Sequence, residues 1–319
     1  MMSVIAIGDL LALLAAVPLA ALGGEAFLKG VIGVSAWLRL PKLLVATTLA
    51  AFATSSPELT VSSMAALAGK PGIGLGDALG SNVVNIGLIL GLALLFGPLA
   101  ARLAEIRRDF ALALAVPVLT LLLLLDGALS RLDGGLLLTL FTLWLLLAAR
   151  QAMRHRRVNT VAPEGGEPPA RAWLFAVAGL ACLILAGRLF VDGAGGIASA
   201  LGVHPYVIGA TVVAIGTSLP ELVTTLLARL RGHHDIGLGT LLGSNLFNGL
   251  SIVGVAAVIH PIQASFDEVA VALGFGVTTV LMILPRRDGI AVWRGFFLLA
   301  AYAAFVTVTL VVGHALPAS

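Results

Sequence analysis

The sequence predicts an all-α polytopic membrane protein with ten transmembrane helices in two inverted five-helix repeats. Three observations predict it. The chain of 319 residues is 59% hydrophobic and 11% charged with a mean hydropathy of +1.07, a balance suited to a set of bilayer spans and not to a water-soluble core. Its apolar residues fall into ten runs of about 20 residues, the length at which a helix crosses hydrocarbon. A shift of 163 residues lays the first half on the second: across Thr48 to Asn85, 19 of 38 positions are identical to Thr211 to Asn248 without a gap.

Bounded by charge, Gly or Pro, the expected spans are 4–28, 42–68, 73–96, 110–126, 132–150, 171–191, 204–229, 236–259, 268–285 and 292–314. The N-terminus carries no basic region ahead of its apolar run, so the first span is expected to insert uncleaved. Between the fifth and sixth spans, Arg150, Arg154, Arg156 and Arg157 precede a Pro/Glu/Gly-rich segment that reads as a linker. The chain therefore divides into a first five-helix repeat, 1–149, a linker, 150–170, and a second repeat, 171–319, with the repeated motif at 42–96 and 204–259. One cysteine, Cys182, in an apolar run excludes a disulfide framework or a thiolate metal site.

Assigning each Lys and Arg to its nearest helix end puts 16 at the odd-numbered connections and three, Lys70, Arg131 and Arg188, at the even ones. Basic residues are retained on the cytoplasmic side, so the linker is expected there and both termini on the extracytoplasmic face of the cell (inner) membrane. Five helices per half is an odd number. The second half then enters from the opposite face, which sets broken helices from both halves around one midplane site.

Those broken helices are legible. Ala53-Thr-Ser-Ser-Pro-Glu58 and Gly216-Thr-Ser-Leu-Pro-Glu221 place a carboxylate, hydroxyls and a proline at membrane depth. Pro57 cannot donate to the carbonyl of Ala53, nor Pro220 to that of Gly216, so each helix opens at its Thr and Ser. A kink whose hydroxyls satisfy the backbone would explain the Thr, Ser and Pro; it does not require a glutamate, whose charge at the bilayer centre costs about 3 to above 10 kcal/mol. Hydroxyls, freed carbonyls and carboxylates are hard oxygen ligands suited to Ca2+ and Na+. Downstream, Gly80-Ser-Asn-Val-Val-Asn85 and Gly243-Ser-Asn-Leu-Phe-Asn248 put Ser81 with Asn85, and Ser244 with Asn248, on one helix face each. The glycines at 74, 76, 80, 237, 239 and 243 fit close helix approach.

These paired motifs resemble those of the cation/calcium exchanger superfamily, and most closely the prokaryotic Na+/Ca2+ exchangers, whose two inverted α-repeats each join a G-T-S-x-P-E helix to a G-S-N-x-x-N/D helix. The resemblance covers nearly the whole chain. It implies a secondary antiporter, with no prosthetic group and no enzymatic chemistry, that exchanges Ca2+ for Na+ by alternating access. It implies Ca2+ held chiefly by Glu58 and Glu221 with carbonyls near Thr54 and Thr217. Na+ would use the same glutamates with Thr54, Ser55, Ser81, Thr217, Ser218 and Ser244, and Asn85 and Asn248 at the centre. Two positions depart from the pattern: Asn248 stands where an Asp is common, and Ala53 where the motif has Gly. The first keeps H+ open as the alternative coupling ion.

The other polar residues are expected to be structural. Asp77 reads as a helix-start carboxylate near water, Glu25 and Asp192 as helix-end residues, and His204, His233, His234 and His260 as loop margins without transport roles. An intramembrane hydrolase would need a motif such as HExxH or G-x-S-x-G, and neither is present. A non-transporting scaffold would not need matched carboxylates in both halves. The expected partners are the ions and the lipid bilayer, with no nucleic acid; a monomer suffices, and the oligomeric state is open.

Overall fold

A computed structural model describes residues 7–158, 168–200, 209–264, 266–285 and 289–315. Within them the chain forms α1 (Ile7–Leu38), α2 (Lys42–Thr54), α3 (Ser56–Leu67), α4 (Pro71–Leu95), α5 (Leu103–Leu123), α6 (Arg131–Val158), α7 (Pro169–Ala200), α8 (Thr211–Thr217), α9 (Leu219–Leu230), α10 (His234–Ile259), α11 (Phe266–Met282) and α12 (Trp293–Ala315). By length and composition α1, α4, α6, α7 and α10 can each cross a membrane, and α8 with α9 make one further span bent by 57°. The remaining expected spans are built from shorter or more charged helices. His204, the start of the seventh expected span and linker residues 159–167 lie outside the described residues.

The breaks fall where the prolines predict. Ser55 (φ −84°, ψ 7°) and Ser218 (φ −84°, ψ 10°) leave the helical basin. Helix then resumes with Pro57 and Pro220 in its first turn, where the missing N–H would be unpaired in any case. In the first half the hydroxyl of Ser56 donates to the carbonyl of Ala53 that Pro57 cannot reach. Leu219 occupies the corresponding place in the second half and has no hydroxyl to offer.

Three elements, α1, α6 and α7, run further than hydropathy suggested. α1 continues past residue 28 because Lys29 stays in register by pairing with Glu25 four residues back, at 3.8 Å; the chain turns only at Arg39, with φ 56°, ahead of Pro41. α6 carries helix through the arginine run to Val158. Long basic side chains reach the interface from a helix without ending it.

Among the described residues four π-helical segments interrupt this pattern, at Ala46–Ala50, Val84–Leu90, Gly209–Val213 and Phe247–Ile252. A shift of 163 carries the first onto the third and brings the second within one residue of the fourth. Such segments widen the helix and re-aim side chains, and they recur at functional sites. Asn85 and Asn248 each lie in one.

α4 and α10 are enclosed, whereas α1, α6 and α7 present most of their surface outward, with Leu10, Leu14, Val17 and Leu22 of α1 exposed as a lipid-facing side requires. α1 packs along α7, its repeat counterpart. There a Cβ added to Gly30 would lie 2.3 Å from the amide nitrogen of Ala176, the backbone-to-backbone approach that small residues permit in lipid. Two short antiparallel pairs, Leu99 with Ile290 and Ala128 with Gln263, tie loops of one half to loops of the other. Phe247 wedges among Phe52, Phe141 and Trp144 at centroid distances of 5.5, 4.7 and 5.9 Å. The Trp144 indole N–H donates to Asp109 Oδ1 at 2.9 Å. This aromatic cluster fixes the π segment of α10 that carries Asn248.

Glu25 is not a helix-end residue. It sits mid-α1, where Arg231 of the α9–α10 connection reaches its Oε2 at 2.9 Å. Asp192 is exposed. His233 faces the Lys42 ammonium at 3.2 Å; partial burial, and then that neighbouring charge, hold its imidazole below the usual histidine range.

Candidate functional site

The ten residues expected at the site, Thr54, Ser55, Glu58, Ser81, Asn85, Thr217, Ser218, Glu221, Ser244 and Asn248, are all buried. They come from the two breaks and from the inward faces of α4 and α10, which cross beside them. Ser55, at the break of the first half, donates to Glu221 Oε1 at 3.3 Å. Ser218, at the break of the second, donates to Glu58 Oε1 at 3.2 Å. These are the same contact made twice, since 55 and 218, and 58 and 221, are repeat equivalents. Ser244 of α10 adds a second donor to Glu221 Oε1 at 2.9 Å.

The asparagines make a second reciprocal contact. Asn82 Nδ2 donates to the carbonyl of Asn245 at 3.4 Å, and Asn245 Nδ2 donates to that of Asn82 at 3.3 Å. Asn85 Nδ2 joins through Asn245 Oδ1 at 3.0 Å. α4 and α10 are thereby clasped amide to backbone where they cross. The sequence shows Asn82 and Asn245 as a matched pair; that each serves the other's carbonyl is visible only in three dimensions.

Thr54 bonds back to the carbonyls of Ala50 and Ala51, at 3.0 and 3.3 Å. Thr217 does the same to Val213 and Ala214, both at 3.2 Å, and also meets Asp77 Oδ1 at 3.3 Å. Asp77 is therefore no solvent-facing helix-start residue: it is 9% exposed and bonded across the halves. The available signal was its spacing, four residues before Ser81 and eight before Asn85 on one helix face. Ser81 and Asn248 lie on the expected faces but engage no protein partner.

What remains is a set of enclosed oxygens without a hydrogen-bond partner: Glu58 Oε2, Glu221 Oε2, Ser81 Oγ, Asn85 Oδ1 and Asn248 Oδ1. An orphaned buried acceptor costs about 1–3 kcal/mol, and more when charged, so oxygens gathered this way are poised for a hard cation. Among the described residues no three Asp, Glu, His or Cys side chains converge on one point, which leaves hydroxyl, amide and carbonyl oxygens to complete any shell around the two glutamates.

The motif glycine retained at 216 and replaced at 53 has a local explanation. A Cβ on Gly216 would lie 2.2 Å from Cγ2 of Val191 and 3.3 Å from the carbonyl oxygen of Gly187, both on α7. Ala53 instead lines a cavity of about 90 Å³ beside Val31, Ala50 and Trp173, where a methyl group fits.

Comparison with known proteins agrees with this architecture. The family model described as sodium/calcium exchanger protein matches residues 9–150 and 171–311. The inner membrane protein YrbG of Escherichia coli (strain K12) is 37% identical over 257 residues, covering 77% of each chain. The sodium/calcium exchanger MaX1 of Methanosarcina acetivorans is 27% identical over 331 residues, covering 90% of this chain and 94% of its own. The sodium-calcium exchanger NCX_Mj, in crystals soaked with Na+ and Sr2+, superposes with a TM-score of 0.81 at 28% identity, covering 94% of this chain and 98% of that one.

Proposed function

The chain belongs to the sodium/calcium exchanger family, so it is a membrane cation/Ca2+ exchanger and not an enzyme, and from that premise we propose that its coupling ion is Na+ and that both ions use one site built on Glu58 and Glu221. Ca2+ is held between the two carboxylates with carbonyls near Thr54 and Thr217. Na+ takes the same carboxylates with Thr54, Ser55, Ser81, Thr217, Ser218 and Ser244, and Asn85 and Asn248 supply amide oxygens between them. Two neighbouring carboxylates in a low-dielectric site repel each other, so the empty protein resists reorientation until cations load. Sharing one site then enforces exchange.

The observation that carries this reading is the reciprocal pair Ser55 to Glu221 and Ser218 to Glu58: each half supplies a hydroxyl to the other's carboxylate, as expected if a two-fold relation passes through the ions. With α2–α3 and α8–α9 each taken as one broken span, the twelve helices become ten, divided between repeats 1–149 and 171–319. The linker 150–170 is then cytoplasmic and both termini extracytoplasmic. Calcium-45 uptake into vesicles tests the coupling ion: an imposed Na+ gradient is expected to drive it, and uptake driven by a pH gradient alone would make H+ the coupling ion.

Two further expectations arise here. In a Cys182→Ser background, Thr160→Cys should resist an impermeant thiol reagent in intact cells and react in inverted vesicles; strong labelling of intact cells would overturn the orientation and the inverted arrangement with it. Asn248→Asp adds a carboxylate whose charge an extra cation must balance, so transport should depend more steeply on Na+ concentration and on pH. Identical Na+ and pH profiles for the variant and the parent would remove position 248 from the ion path.

A further inference from the structure

Asp77 is a buried carboxylate that the two-glutamate site leaves unused. We propose that it forms, with the hydroxyl of Thr217, an added subsite for a monovalent hard cation, Na+ in the first instance, that adjoins the Glu58–Glu221 site and shares Thr217 with it. The proposal rests on the antiporter reading above and extends it.

Three features carry it. Asp77 is 9% exposed and takes part in no ion pair among the described residues, and its Oδ2 is enclosed without a partner. A carboxylate in that setting is strongly unfavourable unless paired or ligated. Its single bond is itself contested, because Thr217 has one hydroxyl proton and three acceptors at 3.2–3.3 Å: Asp77 Oδ1 and the carbonyls of Val213 and Ala214. When that proton goes to a backbone carbonyl, the Thr217 oxygen and Asp77 Oδ1 are two lone-pair donors 3.3 Å apart. That separation lets both sit on neighbouring corners of one shell at about 2.3–2.6 Å, the oxygen distance of Ca2+-sized ions, and Na+ is close to Ca2+ in radius. Finally, Asp77 continues the face of α4 that presents Ser81 and Asn85.

The subsite adjoins the shared one through Thr217, but Asp77 does not join Glu58 and Glu221 around one point among the described residues, although the three are near enough for their charges to act on one another. It also occurs once per molecule. The repeat equivalent of Asp77 is Thr240, whose buried hydroxyl brings no charge. Asp77 thus restores a third carboxylate to a core where Asn248 has none to give. Ca2+ balances the two glutamates alone, whereas a third monovalent cation balances Asp77, so the number of Na+ ions loading together rises by one. On the proposed topology the Pro71 end of α4 is extracytoplasmic and Asp77 lies on that side of Ser81, where external Na+ arrives.

The test is displacement of calcium-45 by Na+ from the purified full-length protein in detergent, comparing the parent with Asp77→Asn, which keeps an acceptor for Thr217. The variant is expected to need roughly tenfold more Na+ for half-displacement, a change of one factor of ten in apparent affinity, with a displacement curve shallower by about one ion. An unchanged midpoint and slope would overturn the subsite. So would loss of calcium-45 binding as complete as in Glu58→Gln, since Asp77 would then be a ligand of the shared ion. If Glu58→Gln binds calcium-45 like the parent, the two-glutamate reading fails instead, and the two failures are distinguished. Should Asp77→Asn not be monodisperse, Asp77→Ser, which keeps a hydroxyl for Thr217, enters the same comparison.

Discussion

Glu58→Gln and Glu221→Gln are each expected to abolish Ca2+ exchange while leaving the protein folded. The substitution keeps the volume and one carbonyl oxygen of the side chain, so packing around it survives. Ser218 can still donate to the remaining oxygen at 58, and Ser55 and Ser244 to that at 221, in place of the contacts they now make at 3.2, 3.3 and 2.9 Å. What disappears is one of the two buried charges that the proposed site sets against a divalent ion. Ca2+ takes about six to eight oxygens, and its affinity is tuned by the charge they carry. An uncompensated charge at membrane depth costs several kcal/mol, and each 1.4 kcal/mol is about tenfold in affinity, so a single substitution is enough to silence exchange. Stability should move the other way or not at all, because the repulsion between the two carboxylates is relieved. Calcium-45 exchange in vesicles, with monodispersity in detergent as the folding control, reads both quantities. A folded variant of either kind that exchanges Ca2+ at near the parent rate would sink the two-carboxylate site.

The relation between the two glutamates shows how far the sequence carries. That Glu58 and Glu221 sit beyond helix breaks follows from proline chemistry and bilayer cost, and the structure puts the breaks at Ser55 and Ser218. The family, the membrane-spanning character and the burial of all ten candidate residues could likewise be read from motif and hydropathy. Other features were hidden because they depend on a partner far along the chain. The single bond of Asp77 goes to Thr217, 140 residues away, so a rule about helix-start carboxylates sent it to water. Hydropathy alone treats Lys29 as a stop and so sets Glu25 at a helix end, whereas the two charges pair on one continuous helix with Arg231 alongside. The π segments have no signature in propensity at all: Ala46–Ala50 and Val84–Leu90 read as ordinary apolar helix.

Gly243→Ala is expected to damage both stability and exchange, and its repeat equivalent Gly80→Ala shows why. A Cβ on Gly243 would lie 2.2 Å from the carbonyl oxygen of Thr47 and 2.6 Å from Cβ of Ala51, whereas a Cβ on Gly80 meets only Cβ of Ala214, at 3.9 Å. Ala51 and Ala214 are themselves equivalents, so one helix contact exists in two copies, closed on one side of the molecule and open on the other. Backbone at 2.2 Å cannot yield, and α10 must move off α2. Overpacking of this kind costs about 1–3 kcal/mol. The displacement also pulls apart Ser244 and Ser55, which reach Glu221 Oε1 from those two helices, and a misplacement of about 1 Å at a working site can cost on the order of a hundredfold in rate. Gly243→Ala should therefore lower the melting temperature in detergent and slow calcium-45 exchange by about one to two orders of magnitude. Gly80→Ala fits the described geometry and should melt like the parent. On the proposed inverted-repeat topology the halves trade geometries as access alternates, which makes position 80 the tight contact in the opposite state, so Gly80→Ala should slow exchange without loss of stability. Equal loss of melting temperature in both variants would mean that the difference between the two copies of this contact is not a feature of the protein in solution.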